Sequence, residues 1–96
     1  MESLHTPETD SLFRALLGLT TVEECYALFE DLCTIRELRD LTQRFEVARM
    51  LAAGKSYQDI SQATGASTAT ICRVNKCLLY GTGGYRRAVG GGEDEK

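Results

Sequence analysis

The chain has no tryptophan, one proline and one histidine among its 96 residues, and each scarcity closes off a class of protein. With proline confined to Pro7 and much Ala, Leu, Glu and Arg, helix propensity runs on with little interruption. No alternating apolar and polar pattern marks a strand, and no internal repeat is present. No apolar run approaches the ~18 residues that span a bilayer. The opening MESLHTPETD is acidic and polar, unlike a secretory leader. These absences predict a cytoplasmic protein with no membrane association. His5 stands alone in a polar terminus, and no nucleophile–base pair or metal-ligand set is recognisable, which speaks against an enzyme. Cysteines 25, 33, 72 and 77 are separated by 8, 39 and 5 positions, and that spacing matches no paired-ligand zinc pattern. They read as reduced thiols, with a redox switch as the lesser alternative. No cofactor and no metal are expected.

Hydrophobic residues make up 43% of the chain, enough for a globular core and too many for a disordered segment. The formal net charge of −3 hides an asymmetry along the sequence. Residues 1–35 sum to −6 and residues 36–54 to +1, whereas residues 55–89 sum to +4 and residues 90–96 to −2. One basic face can bind a polyanion while an acidic remainder keeps the protein in solution. The overall charge therefore does not exclude DNA.

Helix starts are legible throughout. Pro7 behind Thr6, followed by Glu8 and Asp10, opens a first helix whose Leu12, Phe13, Leu16, Leu17 and Leu19 form one stripe. Thr21-Val22-Glu23-Glu24 is a capping box, in which hydroxyl and carboxylate satisfy orphan amides reciprocally. The helix it opens carries Cys25, Leu28, Phe29 and Leu32 on one face. Thr34-Ile35-Arg36-Glu37 is a second box and begins the longest helix. There Leu38, Leu41, Phe45, Ala48 and Leu51 recur at steps of 3 and 4, Val47 and Met50 widen the stripe, and Gly54 marks the stop. Arg36, Asp40 and Arg44 offer opposite charges four apart on the other side. After Tyr80 the chain is glycine-rich. Tyr85–Val89 has the makings of a further turn or two, and residues 90–96 read as a flexible acidic tail beyond a single helical domain of residues 1–89.

The sharpest feature is SYQDISQATGASTATICRVNKC, residues 56–77. A helix-turn-helix needs a short scaffold helix, a tight turn with one left-handed residue, and a second helix with a narrow, polar start. Residues 56–79 supply each part. The spacing predicts that Ile60 and Ala63 are buried, with Ala63 small where the helices cross. Gly65 takes the turn, and Ser67 caps a helix that buries Ile71, Val74 and Leu78. Ser67, Thr68, Ala69 and Thr70 then lead into the major groove, where hydroxyls and amides suit phosphates and base edges and methyls suit thymine. On a helical wheel Ala69, Cys72, Arg73 and Lys76 lie together opposite Ile71 and Val74. The plainer alternative is an αα-corner in an all-helical fold, which would show the same glycine and apolar anchors.

Over IRELRDLTQRFEVARMLAAGKSYQDISQATGASTATICRVNKCL the chain closely resembles the core of the bacterial Trp repressor, most of all at GASTATICR. As a whole it looks like the YerC/YecD branch of Trp-repressor-related proteins. The likeness is strong over residues 34–80 and covers the first helices by order and length only. It implies an all-α, six-helix subunit in an intertwined homodimer, with the N-terminal helices of each subunit wrapping the other. The apolar residues of the first two helices agree, because they exceed what one small head can cover. Carried over by position, the groove-facing residues are Gln58, Ser61, Ser67, Thr68, Ala69 and Cys72. Thr34, Arg44 and Arg73 match the repressor's ligand contacts. Two positions depart from it: Val74 stands where the repressor has a glycine against the indole, and Cys77 where it has a serine. Arg44 and Arg73 read equally well as surface charges that pair with Asp40 or with phosphates.

The expected function is a homodimeric, sequence-specific regulator of transcription, a repressor that binds double-stranded DNA at a near-palindromic operator without tryptophan. The competing expectation is a protein–protein interaction module that keeps the helix-turn-helix fold and docks a partner on its basic face.

Overall fold

Hydroxyl side chains start the helices. In a computed structural model that describes residues 3–90, Thr6, Thr21, Thr34, Ser56 and Ser67 each accept a hydrogen bond from the amide three residues on, at 3.0–3.1 Å. These bonds satisfy amides that no helical carbonyl can reach. They open α1 (Pro7–Leu17), α2 (Val22–Leu32), α3 (Ile35–Ala52), α4 (Tyr57–Thr64) and α5 (Thr68–Tyr80), after which comes α6 (Gly84–Gly90). The described residues contain no strand, so the fold is all-α.

The two expected capping boxes differ in detail. At α3 the box is complete, for the Glu37 carboxylate accepts from the Thr34 amide at 2.9 Å. At α2 the Glu24 carboxylate reaches one residue further back, to the Thr20 amide at 2.8 Å and the Thr20 hydroxyl at 3.3 Å. The Thr20 amide is the main reason that the Glu24 carboxyl is held below its ordinary value. At its far end α3 closes on Gly54, whose φ is +84°. The Gly54 amide donates to the Leu51 carbonyl and the Lys55 amide to the Met50 carbonyl, each at 3.0 Å, which is the paired Schellman closure.

The described chain forms two compact units that divide between Leu38 and Arg39, inside α3. In the first unit α1 and α2 bury no residue within the single chain. Leu17 is 84% and Ile35 72% exposed, and Phe13, Val22, Tyr26 and Leu32 are exposed with them. In the second unit the core is Val47 and Ala48 of α3, Ile60 of α4, Ala66 of the turn, and Ile71 and Val74 of α5. Met50, Leu51, Tyr85 and Val89 pack against it, so α6 belongs to this unit. The helix α6 takes in the expected Tyr85–Val89 turns and also Gly90, whereas the acidic residues 91–96 lie outside the described residues.

Three expectations need correction. Ala63 is exposed, and the small residue buried beside α5 is Ala66. Ala66 follows the left-handed Gly65 directly and packs into the core. Among the described residues Arg36, Asp40 and Arg44 make no ion pair. The ion pair among the described residues is Arg49–Glu46 at 2.8 Å, between half-exposed side chains. In water, long exposed side chains gain too little from pairing to offset their lost freedom. Finally, Leu41 and Phe45 of the α3 stripe remain exposed in the single chain.

Gly65 has φ +75° and ψ 4°, and a Cβ added there would meet nothing within 4 Å. The cost of Gly65→Ala is therefore one of backbone conformation alone, about 1–2 kcal/mol. The urea midpoint of unfolding should fall accordingly with the slope unchanged. An unshifted midpoint would show that the turn does not need a left-handed residue.

Candidate nucleic-acid interface

The turn between α4 and α5 is held by side chains as well as by its glycine. The Gly65 amide donates to the Ser61 carbonyl at 2.8 Å, closing α4 with a single left-handed cap. The Thr64 hydroxyl donates to the Ile60 carbonyl at 2.7 Å and accepts from the Ala66 amide at 3.1 Å. The Ser61 hydroxyl donates to the Ala66 carbonyl at 3.0 Å. From α3, the Gln43 side-chain amide donates to the Thr64 carbonyl at 3.0 Å. Thus α3 fixes the turn from below while Ile60 and Ala66 fill the space under it.

The register of α5 then follows. Ile71, Val74 and Leu78 face the core, being at most 9% exposed. Ala69, Cys72, Arg73 and Lys76 are exposed, as the wheel predicts, and so is Thr68. Gln58 is exposed near the start of α4. Three predicted contacts have their hydroxyls engaged inside the fold. Ser67 caps α5, Thr70 lies 3.1 Å from the Ser67 hydroxyl and is half-buried, and Ser61 is tied to Ala66. Periodicity places a hydroxyl on a face but does not reveal that a nearby carbonyl has already taken its proton.

Electrostatics favour an anion at this surface. Helices α1 to α4 each carry an acid in the first turn, whereas α5 carries none. Its positive pole is left unneutralised, and Arg73 and Lys76 add exposed positive charge further along the helix. Arg86 and Arg87 add exposed positive charge on α6.

The residues expected to hold an effector are distributed as follows. Thr34 has its amide and hydroxyl engaged in the cap of α3. Arg44 is half-buried on α3 and Arg73 is exposed on α5, and neither makes an ion pair among the described residues. Val74 is 1% exposed and forms part of the core. Cys77 is exposed. The four thiols are free, with Cys33 half-buried and the other three exposed. Among the described residues no group of three or more His, Cys, Asp or Glu gathers to hold a metal, and no helix is long and apolar enough to cross a membrane.

Sequence reasoning missed Gln43 and Thr64. A threonine directly before the turn glycine was a usable signal, because its hydroxyl can return to the carbonyl four residues back. Gln43 gave none, for its partner lies 21 residues away.

Comparison with known proteins agrees along nearly the whole chain. A family model described as Trp repressor protein matches residues 7–91. The uncharacterized protein YerC of Bacillus subtilis strain 168 is 52% identical over 89 residues, covering 93% of this chain and 86% of its own. The crystal structure of a TrpR-like protein from Eubacterium eligens superposes with a TM-score of 0.85 at 53% identity, covering 88% of each chain. A Trp-repressor-like crystal structure from Staphylococcus aureus gives 0.85 at 45% identity, covering 90% of this chain and 86% of the other.

Removing the Gln43 amide leaves the Thr64 carbonyl without its side-chain donor. Gln43→Ala should cost about 1 kcal/mol of stability, read as a lower urea midpoint at unchanged helix content. An unchanged midpoint would mean that water replaces this bond without loss.

Proposed function

We propose that this chain, which belongs to the Trp repressor family, is a homodimeric, sequence-specific DNA-binding regulator of transcription that acts as a repressor in the cytoplasm. Membership points to a DNA-binding regulator rather than a catalyst. The observation that carries the finer reading is the outer face of α5. Thr68, Ala69, Cys72, Arg73 and Lys76 stand clear of the fold on a helix whose start carries no acid. In this reading the first turn of α5 enters the major groove, and Arg73 and Lys76 meet phosphates on the way. Gln58, Ser61 and Ser67 border the same surface, where the amides at the start of α5 supply further donors.

The dimer is supported by what the single chain leaves uncovered. Helices α1 and α2 have apolar stripes yet bury nothing, and Leu41 and Phe45 of α3 are exposed too. A second copy that covers these faces would also place two recognition helices about 34 Å apart, matching half-sites one turn of DNA apart.

The test is selection of bound fragments from the host's own genomic DNA, followed by a salt titration. Affinity should fall by a factor of about 10³ or more between 50 and 200 mM salt for six or more phosphate contacts. Ala69→Glu or Thr68→Glu should abolish specific binding with helix content intact, and light scattering should report a dimer at micromolar concentration. A salt-independent interaction, or an Ala69→Glu variant with full affinity, would favour protein docking instead.

This repressor works without tryptophan. A flat indole slot at position 74 requires a residue with no Cβ, and Val74 fills that space and packs into the core. Being β-branched, it has almost one rotamer on a helix and cannot retreat. Its burial contributes about 1.5 kcal/mol or more without any ligand. Cys77 offers a thiol, a poor acceptor for an ammonium group. Calorimetry with millimolar L-tryptophan should show no heat of binding, and affinity for the selected operator should be the same with and without it. A tryptophan-dependent rise in that affinity would overturn this reading.

A further inference from the structure

We propose that the operator half-site is selected by thymine methyl groups, read by the methyl and thiol surface that Thr68, Ala69 and Cys72 present at the start of α5. The inference rests on the DNA-binding reading and adds to it the chemistry of the base that is read.

The argument is one of elimination among the groups that could reach a base edge. Hydrogen-bond readout in the major groove relies on forked donors and acceptors, Arg or Lys for guanine and Asn or Gln for adenine. The first turn and a half of α5 holds none of these. Its residues are Thr68, Ala69, Thr70, Ile71 and Cys72. Ile71 is in the core and Thr70 is half-buried against the Ser67 hydroxyl, which itself caps the helix. What faces outward is a threonine methyl and hydroxyl, an alanine methyl, and a thiol, which is a weak donor and a weak acceptor. Arg73 and Lys76 lie later on the helix, and their long stems suit phosphates. Gln58 is on α4, the helix that crosses the backbone in this motif.

A surface of this kind can discriminate bases in one way. Against thymine it buries the 5-methyl group between small apolar side chains. Against cytosine or guanine it covers hydrogen-bonding edges and returns only the single Thr68 hydroxyl and a weak thiol, leaving most of them unpaired. The smallness of Ala69 and Cys72 brings the α5 backbone close enough for that contact, which a long side chain at either position would prevent. The core seats α5 firmly beneath this face, through Ile71 and Val74, so the methyl surface is held at fixed height.

The test uses the protein unchanged and alters only the DNA. In an operator selected from genomic fragments, each thymine of one half-site is replaced in turn by deoxyuridine, which keeps every hydrogen-bonding group and lacks the methyl. At one or two positions the affinity should weaken about four-fold per methyl lost, and replacement at both half-sites should multiply the losses. Cys72→Ser and Ala69→Ser should bring the thymine-to-uracil ratio at their own positions toward one, with circular dichroism reporting an intact fold. Full affinity for an operator carrying uracil throughout would overturn methyl reading while leaving DNA binding standing. A selected half-site without thymine would overturn it as well. Failure to select any fragment would remove the regulator reading itself.

Discussion

Val47 and Ala48 of α3 meet Ile60, Ala66, Ile71 and Val74 in a core in which no side chain is more than 2% exposed. Everything functional in the second unit hangs on this contact. The two alanines let α3 and the turn approach closely, while the branched residues fill the gaps in nearly fixed rotamers. Because the core is small, it has no slack. Cutting a buried isoleucine back to alanine costs on the order of 2–5 kcal/mol, against a total of roughly 5–15 kcal/mol for a typical domain. The same contact sets which face of α5 points away from the core.

That register was legible in the sequence, and so was most of the helical order. Hydroxyl caps at Thr6, Thr21, Thr34, Ser56 and Ser67 announce helix starts because the capping bond is local, three residues long. Gly54 and Gly65 announce stops for the same reason. What failed to show was whatever depends on geometry across the turn. Ala63 and Ala66 are chemically identical, yet the one past the turn is buried and the one on α4 is not. The hydroxyls of Ser61 and Ser67 look alike to a wheel projection, yet one is held by a carbonyl and the other by an amide. The Gln43 bond, spanning the chain between two elements, left no local mark.

The first unit shows the opposite balance. Its stripes were plain in the sequence, but they bury nothing within one chain. Amphipathic helices usually draw most of their stability from the face they cover. Caps hold α1 and α2 in shape, and the apolar faces await a surface of matching character. The acidic excess of the sequence falls on this unit, and the basic excess falls around α5 and α6.

The shortness of the side-chain bonds bears on how the chain finds its shape. Among the described residues, every side-chain hydrogen bond but one joins positions no more than five apart, and Gln43 to Thr64 spans 21. Bonds this local cost little loop entropy, whereas the core that joins α3 to α5 must be brought together across the turn. In this chain each helix can nucleate at its own cap, and the turn can close on Gly65 before α3 arrives. The Gln43 bond joins α3 to the turn, as the core contacts do.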